Sequence, residues 1–328
     1  MCTAISFKKK NFFFGRNLDY DYSFGESICI TPRNYRFSYR NYNNEETSHY
    51  AIIGIAYIDK NYPLYYDAMN EMGLCIAGLN FVHNAKYSQI LDKNKNNIAQ
   101  FELIPYLLSK CKNVDEVIKL LKKTNVTETN YSDNLKCAEL HYLIADKNKC
   151  ITLEFTESGV HIYNNKVGVL TNNPPFETQI LNLNNYTNLS NKQPKRSSFK
   201  GEKLNLYSLG LGAVGLPGDL SSMSRFIKVA FTKNYSICDM DDLSEINQFF
   251  HILHSVEQQN GCTETTKNYY EKTIYTSCMD VNNLTFYITT YFNHRIRGVK
   301  LTDYDLKSKE LIATNIETKE DVEILKIR

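Results

Sequence analysis

The chain has 328 residues, of which 42% are hydrophobic and 23% are charged, a balance typical of a globular protein. Its 38 basic and 36 acidic residues leave a net charge of +2, which is too small to indicate binding to nucleic acid. No secretory leader opens the chain, and no apolar run reaches the roughly 18 residues that a membrane-spanning helix needs. Composition therefore favours a cytoplasmic protein, not a membrane protein, whose partners are small molecules or other protein chains.

The first third of the chain has the alternating β-branched and aromatic pattern of strands. Residues 2–7 and 11–20 flank a lysine-rich turn and predict a β-hairpin. Further strands are predicted in the segments ESICITPR, YAIIGIAYI, LYYDAMNE and GLCIAGLNF. The chain is therefore expected to open with antiparallel sheet.

Two helices are predicted after these strands. The first, AQFELIPYLLSKC, is expected to be interrupted by Pro105. The second begins after Asn113, an N-cap residue followed by Glu116 at the third helical position. Apolar residues at helical spacing give this second helix one buried face, so we expect both helices to pack on a sheet.

In the second half of the chain, strands are again predicted before helices, and further strands follow. Strands are predicted as a meander in AELHYLIAD, CITLEFTES, GVHIYNN and VGVLTNN, and later in KTIYTSCMDV, LTFYITTYF and GVKLTDYDL. Between them lie a polar segment at 182–203, a helix capped by Ser221 or Ser222, and a helix capped by Asp242. With no linker and no internal repeat, we expect a single domain over residues 1–328, of the α+β class with helices on the outer sheet faces.

Motifs for metals and cofactors are missing from the sequence. The nine cysteines are an odd number, scattered and without a CxxC pair, and His251 and His254 lie in an apolar helix without a third ligand. The glycine-rich run 210–218 contains Pro217 and favours a structural turn over a phosphate cradle. The basic stretches 8–10 and 192–203 are typical of solvated loops. We therefore expect no metal and no cofactor.

Cys2 becomes the N-terminal residue once Met1 is removed, as aminopeptidases generally do before a small residue. Its thiol and its α-amine would then lie on the same residue. An α-amine has a pKa of about 7.7–8.0 and a thiol about 8.5, so the amine is suited to act as the base near neutral pH. Arg16 and Asp19, in FGRNLD, follow Gly15 and can reach the end of the first strand. Considered alone, GRNLD fits a surface turn as well as a functional site.

The ordered motifs of the whole chain resemble those of the choloylglycine hydrolases, the bile salt hydrolase and penicillin V acylase group of N-terminal nucleophile hydrolases. The matching segments are MCT, FGRNLD, YP at 62–63, MNEMGLCIAGLNF, GVLTNNPPF, GLPGDLSSMSRF and YTSCMD. Each is weak alone, and the ordered set is specific. The resemblance implies a four-layer αββα sandwich, in agreement with the predicted element order.

The resemblance also implies a reaction at the N-terminus. Cys2 would be the nucleophile and its freed α-amine the base. Asp19 would hold the amine, and Arg16 would lie beside the thiol and favour the thiolate. Arg225 would brace the site from the start of its helix. Taken alone, Arg225 also fits an ordinary surface ion pair.

Two asparagines would complete the site by analogy with the family. The side-chain amide of Asn172 and the backbone N–H of Asn80 would form the oxyanion hole, although each asparagine alone also fits a turn. Asn80 stands where penicillin V acylases tend to have tyrosine, which favours conjugated bile salts as substrates. Family pocket positions or their near neighbours are occupied here by Leu18, Phe24, Ile58, Tyr131 and Leu135.

The implied function is hydrolysis of glycine- or taurine-conjugated bile salts through a thioester on Cys2. The alternatives are a penicillin V acylase or other N-acyl amide acylase, and a non-catalytic homologue that binds an amphipathic ligand. Residues 182–194 resemble the extended loop through which family members assemble, which implies a homotetramer.

Overall fold

The structure, a computed structural model, describes residues 1–42, 48–195, 198–199 and 201–327. In chain order its strands are β1 Cys2–Lys8, β2 Phe12–Tyr20, β3 Ser27–Thr31, β4 Ile52–Asp59, β5 Tyr62–Asn70, β6 Cys75–Asn80, β7 Asn96–Ala99, β8 Thr124–Thr127, β9 Leu140–Ala145, β10 Cys150–Thr156, β11 Gly159–Asn164, β12 Val169–Leu170, β13 Ser198–Phe199, β14 Glu202–Lys203, β15 Glu264–Thr266, β16 Tyr269–Tyr270, β17 Lys272–Asp280, β18 Thr285–Thr290, β19 Asn293–Lys300 and β20 Ile312–Asn315. The helices are α1 Leu103–Lys110, α2 Val114–Leu121, α3 Phe176–Leu183, α4 Ser222–Tyr235 and α5 Asp242–His254.

Two large antiparallel sheets form the centre of the molecule. The six-stranded sheet has the order β12-β1-β2-β17-β18-β19, and the eight-stranded sheet has the order β11-β10-β9-β6-β5-β4-β3-β20. Strand β1 contacts β6 and β9, so the two sheets face each other. Buried apolar side chains from both, such as Ile5, Phe14, Met69 and Leu143, belong to one core cluster. The removal of these side chains from water is the main contribution to the stability of the folded chain.

The helices bury their apolar faces against the two sheets. Helix α1 contacts β4, β5 and β6 of the eight-stranded sheet, whereas α4 and α5 contact strands of the six-stranded sheet. Helix α2 buries Val114, Val117 and Leu121, which share one face because they are three and four residues apart. The described chain is therefore a sheet-rich α+β structure, as the sequence predicts.

Two helix starts match their predicted caps, and one differs. The Asn113 side chain accepts from the Glu116 backbone N–H at 3.0 Å, and Ser221 caps α4. The prediction that Asp242 caps α5 is wrong, because the side chain of Asp241 accepts from the Ser244 N–H and Asp242 is the first helical residue.

Pro105 does not interrupt its helix, contrary to the prediction. It lies in the first turn of α1, where a backbone N–H would have no partner within the helix in any case. Helix α3 was also not predicted, because the segment before residue 182 carries no strong cap signal; its first residue follows Pro175.

The predicted meander is right for β9, β10 and β11 but wrong for β12. Strand β12 does not join the eight-stranded sheet. It pairs with β1 of the six-stranded sheet, with Ala4 opposite Leu170. Residues just after β12 therefore lie beside the start of β1, although they are about 170 positions away in sequence.

The β1–β2 hairpin is confirmed, with Cys2 opposite Leu18 and Ala4 opposite Arg16. Gly15 of β2 lies so close to β17 that a Cβ there would be 2.0 Å from the Ser277 carbonyl oxygen. No described helix is long and apolar enough to cross a bilayer. The predicted basic stretch 192–203 lies partly outside the described residues.

Candidate active site

The site begins at the free end of the β1–β2 hairpin. Because alternate residues of a strand point to opposite faces, Cys2 and Arg16 lie on the face toward the other sheet. Asp19 lies on the opposite face, toward the helices. Cys2 is the first residue of β1, so its nitrogen lies at the strand's N-terminal end.

The guanidinium of Arg16 is the closest cation to the thiol. Its Nη2 contacts Cys2 Sγ and its Nη1 contacts the Gly78 carbonyl, while the side chain is only 1% exposed. This contact places a buried positive charge directly beside the sulfur. The structure therefore brings Arg16 to the position that the resemblance implies.

A buried carboxylate lies behind Arg16. Asp67 accepts hydrogen bonds from the Tyr275 hydroxyl at 2.5 Å and from the Ser277 hydroxyl at 2.7 Å. Burial raises the pKa of Asp67, and the charge of Arg16 together with these hydrogen bonds opposes the rise. The same Ser277 hydroxyl accepts from the backbone N–H of Arg16 at 3.1 Å, which positions that residue from both ends.

Asp19 offers one unused acceptor to the N-terminus. Its Oδ1 accepts from the Thr273 hydroxyl at 2.6 Å, whereas its buried Oδ2 has no hydrogen-bond partner among the described residues. Burial raises the pKa of Asp19, and the charge of Arg225, whose Nη1 is 3.9 Å from Oδ2, opposes the rise. An additional positive or hydrogen-bonding group next to Oδ2 would satisfy this carboxylate.

Arg225 connects the strand end, the carboxylate and Asn172. Its Nη1 donates to the Cys2 carbonyl at 2.6 Å and to the Thr3 hydroxyl at 2.5 Å, and its Nη2 donates to Asn172 Oδ1 at 2.9 Å. The side chain is fully buried in the first turns of α4. The alternative of a surface ion pair is therefore wrong for Arg225.

The two asparagines meet at the same place. Asn172 Oδ1 accepts from the Cys2 backbone nitrogen at 2.7 Å, and its Nδ2 donates to the Asn80 carbonyl at 2.8 Å. Since a side-chain amide carries two N–H donors, the second one remains for another acceptor. All six predicted catalytic positions thus belong to one network of contacts around Cys2.

A buried histidine, His141, contacts the residue after Asn80 and the residue before Asn172. His141 lies between them: Phe81 stacks on its ring at 4.3 Å, and its Nε2 is 2.8 Å from the Thr171 carbonyl. Its Nδ1 is 3.1 Å from Glu154 Oε1, which also accepts from the Phe176 backbone N–H. This buried pair holds the residues that immediately follow Asn80 and precede Asn172.

Met1 is still attached to Cys2 in this structure. Its α-amine contacts the Glu271 carboxylate and donates to the Asp19 carbonyl at 2.8 Å, and burial lowers the pKa of this amine. With Met1 attached, the Cys2 nitrogen is an amide and cannot act as a base. The freed Cys2 amine would keep Asn172 Oδ1 within hydrogen-bonding distance.

Three contributors were not identified from the sequence. Thr273, Glu271 and Asp67 are each separated from Cys2 by many residues and lie in segments without a motif. Their contacts depend on pairing between β2 and β17 and on the approach of the two sheets. No local pattern could have indicated them.

The five predicted pocket residues fall into two groups. Leu18 lies opposite Cys2, and Phe24 contacts the Tyr20 ring, two residues after Leu18, at 5.1 Å. The other three, Ile58, Tyr131 and Leu135, lie near one another at a different place. The Tyr131 hydroxyl donates to the Asp59 carbonyl at 3.3 Å, next to Ile58, and the Tyr131 N–H donates to the Leu135 carbonyl at 3.0 Å. Within the described residues, no hydrogen bond or ring contact of these five side chains joins the two groups.

Comparison with known proteins identifies relatives along nearly the whole chain. Residues 2–314 match the family model of linear amide C–N hydrolases, choloylglycine hydrolase family. The chain is 50% identical to a bile salt hydrolase/transferase of Lactiplantibacillus plantarum, covering 95% of this chain and 96% of that one. It is 36% identical to a protein of the same description from Clostridium perfringens, covering 95% of each.

Solved structures agree with this assignment. A mutant conjugated bile acid hydrolase from Clostridium perfringens superposes with a TM-score of 0.93 and 34% identity, over 99% of this chain and 100% of that one. Penicillin V acylase from Agrobacterium tumefaciens superposes with a TM-score of 0.77 at 18% identity, over 97% and 92% of the two chains, which shows a shared fold. The chain therefore belongs to the choloylglycine hydrolase family of linear amide C–N hydrolases.

Proposed function

We propose that the protein is an N-terminal nucleophile amidase that hydrolyses glycine- or taurine-conjugated bile salts through a thioester on Cys2. The observation that carries the proposal is the convergence of Arg16, Asp19, Asn172 and Arg225 on the N-terminal end of β1. The conjugated bile salt is proposed because a relative that is 50% identical is described as a bile salt hydrolase/transferase.

The reaction begins once Met1 has been removed. The Cys2 α-amine takes the thiol proton, and the sulfur attacks the amide carbonyl carbon. Asp19 Oδ2, which lacks a partner, accepts from the resulting ammonium, and Arg16 stabilises the sulfur while it is negatively charged. Nucleophile and base are then one residue, so no histidine is needed.

The oxyanion is stabilised by the asparagine pair. The second N–H of Asn172 Nδ2 and the backbone N–H of Asn80 donate to the oxygen that becomes negative in the tetrahedral intermediate. The ammonium of Cys2 gives its proton to the leaving glycine or taurine nitrogen as the C–N bond breaks. Water, activated by the same amine, then hydrolyses the thioester and releases the bile acid.

Arg225 and Thr273 act as positioning residues. Arg225 holds the Cys2 carbonyl and Asn172 Oδ1, and Thr273 orients the Asp19 carboxylate. The proposed fold is a single domain with four layers, α4–α5, six-stranded sheet, eight-stranded sheet and α1–α2. The helix-to-sheet and sheet-to-sheet contacts support this order. The cytoplasmic location stays a prediction.

The substrate is tested by parallel turnover of glycocholate, taurocholate and phenoxymethylpenicillin. We expect release of glycine or taurine to be faster than penicillin cleavage, and a tenfold or greater preference for the penicillin would favour an acylase instead. Cys2→Ala should abolish turnover, whereas Cys262→Ala, at an exposed free thiol, should leave it unchanged.

The N-terminus is tested by the intact mass of the purified protein. We expect the mass of the chain without Met1. An active protein that retains Met1, or a Cys2→Ala variant as fast as the parent, would refute the N-terminal nucleophile mechanism. Full-strength binding of bile salts without any turnover by the processed protein would instead indicate the non-catalytic homologue.

A further inference from the structure

A cavity lies at the end of β1 that is farther from Cys2. It has a volume of about 980 Å³ and is lined by β1, by the β9–β10 and β11–β12 turns and by α4. Lys8, at the end of β1, lines it and is six residues from Cys2, which corresponds to about 20 Å along a strand. The volume is within the range of ligand cavities, and no residue of the candidate active site lines it.

The lining of this cavity is strongly cationic. It includes six lysines, at positions 8, 9, 147, 149, 166 and 233, and Asp146 is the single acidic residue among the described lining residues. The Asp146 carboxylate is already engaged: it accepts from the backbone N–H groups of Asn148 and Val114, both at 2.7 Å. A chain whose net charge is only +2 thus concentrates positive charge here. We call this region the lysine cavity.

Two ammonium groups at the rim of the lysine cavity have no partner within the described part of the chain. Lys8 donates to the Lys147 carbonyl at 2.8 Å, and Lys149 pairs with Asp115 at 2.8 Å. The ammonium groups of Lys147 and Lys166 have no hydrogen bond or ion pair among the described residues. Both side chains are exposed, so they can orient toward an anion without breaking an existing contact.

A partly buried cation, Lys233 near the end of α4, also lines the lysine cavity. Its Nζ donates to the Val167 carbonyl at 2.5 Å, and a Cβ at Gly168 would lie 2.7 Å from this Nζ and 2.4 Å from Ser6 Oγ. Burial lowers the pKa of Lys233 to about 8, since charging this amine away from water is costly. A bound anion would offset that cost.

Apolar side chains line the same space between the charged groups. Leu183, Leu189, Ile227 and Phe231 belong to the lining together with the lysines. We infer that the lysine cavity is a second ligand site, separate from Cys2, which takes an amphipathic anion: a carboxylate or sulfonate attached to an apolar body. The cations would bind the head group, and the apolar walls would cover the body.

The test is calorimetric titration with anilinonaphthalene sulfonate, an aromatic sulfonate, at about 0.15 M salt, so that non-specific attraction is screened. We expect a class of sites whose affinity falls at least roughly tenfold in a Lys147→Glu, Lys166→Glu double variant. A matched Lys93→Glu, Lys122→Glu variant carries the same change of charge at exposed positions outside the cavity and should bind like the parent. The milder Lys147→Gln, Lys166→Gln variant should show an intermediate loss.

Specific outcomes would overturn this inference. One is equal binding by the parent and the cavity variants when all have the same melting temperature and light-scattering mass. Another is an equal loss in the Lys93, Lys122 control, which would indicate a general charge effect. Displacement of the probe by inorganic sulfate at equal concentration would contradict the amphipathic ligand. The titration measures binding without turnover. If the sulfonate does not bind in the lysine cavity, the bile salt turnover assays are unaffected, and if bile salts are not hydrolysed, the binding result still stands.

Discussion

The residues around Cys2 differ in how they contribute to the proposed reaction. Arg16 touches the sulfur, and Asn172 touches the nitrogen of Cys2, so both contact the reacting residue directly. Thr273 contacts the Asp19 carboxylate and acts on Cys2 through it.

Asn172→Ala should lower kcat/KM by roughly 10²–10³, because it removes one donor to the oxyanion. The next residue provides a matched control: Asn173 is exposed, and its Nδ2 donates to the Val82 carbonyl at 2.8 Å, away from Cys2. Asn173→Ala should retain most of the activity on glycocholate. Comparable losses in both variants would mean that the segment, rather than the Asn172 amide, is responsible.

Thr273→Val should shift the acidic limb of the pH–rate profile to higher pH. Burial raises the pKa of Asp19, and the Thr273 hydrogen bond opposes the rise, so its loss raises this pKa further. As pH falls through the pKa, the carboxylate is neutralised and no longer holds the Cys2 ammonium. A hydrogen bond worth about 1 kcal/mol corresponds to about half to one pH unit.

The control for this profile is Thr276→Val, on the same strand. Its hydroxyl donates to Asn17 Oδ1 at 2.9 Å and makes no contact with Asp19. We expect the acidic limb of kcat/KM for this variant to coincide with that of the parent. A limb that fails to move in Thr273→Val would exclude Asp19 as the group that titrates.

Strand pairing brings together what the individual segments cannot. Strand β12 crosses to the six-stranded sheet and delivers Asn172, and β17 pairs with β2 and delivers Thr273. The β2–β17 approach depends on Gly15, because only a residue without a Cβ fits against the Ser277 carbonyl. Ser277 also donates its hydroxyl to Asp67.

Gly15→Ala should destabilise the protein by about 1–3 kcal/mol and reduce activity, because the added methyl separates β2 from β17 next to Arg16. Urea unfolding would give the free energy of unfolding. Gly218→Ala is the comparison, since a Cβ there meets nothing within 4 Å. Equal stability of the two variants would show that the close approach is not required.

At the level of the whole molecule, the predicted homotetramer concerns the surface around residues 182–194. Ser190 and Gln193 in this segment bond to Gly212 and Ser208, so the two stretches form one surface. Tyr207 and Leu209 on the second stretch are each 87% exposed, and exposed apolar residues that lie near one another are typical of interaction surfaces. A contact with another copy of the chain would cover them.

We therefore predict a light-scattering mass of four times the 38.0 kDa chain. A Tyr207→Glu, Leu209→Glu variant should dissociate toward smaller species, because charges placed in an apolar contact are costly to bury. Leu243→Glu, at a position 78% exposed on α5, should leave the mass unchanged. A monomeric parent protein would refute the predicted assembly.

Local patterns in the sequence determined much of the architecture. Alternating apolar residues predict the β1–β2 hairpin, and Asn113 and Ser221 indicate two helix starts. The predicted cap of α5 is wrong by one residue. Asp241 and Asp242 are chemically alike, and only the backbone conformation shows which of them precedes the helix. The order of motifs identified the family and the six positions around Cys2.

The tertiary structure alone decided how those positions meet. A motif specifies residue types but not which strand pairs with which, so the crossing of β12 and the contributions of Asp67, Thr273 and Glu271 had no local signal. The lysine cavity likewise gathers cations from four separate segments whose spacing in sequence shows no common pattern. Local chemistry is encoded by neighbouring residues, whereas burial and proximity depend on long-range pairing, because they arise only when distant segments exclude water together.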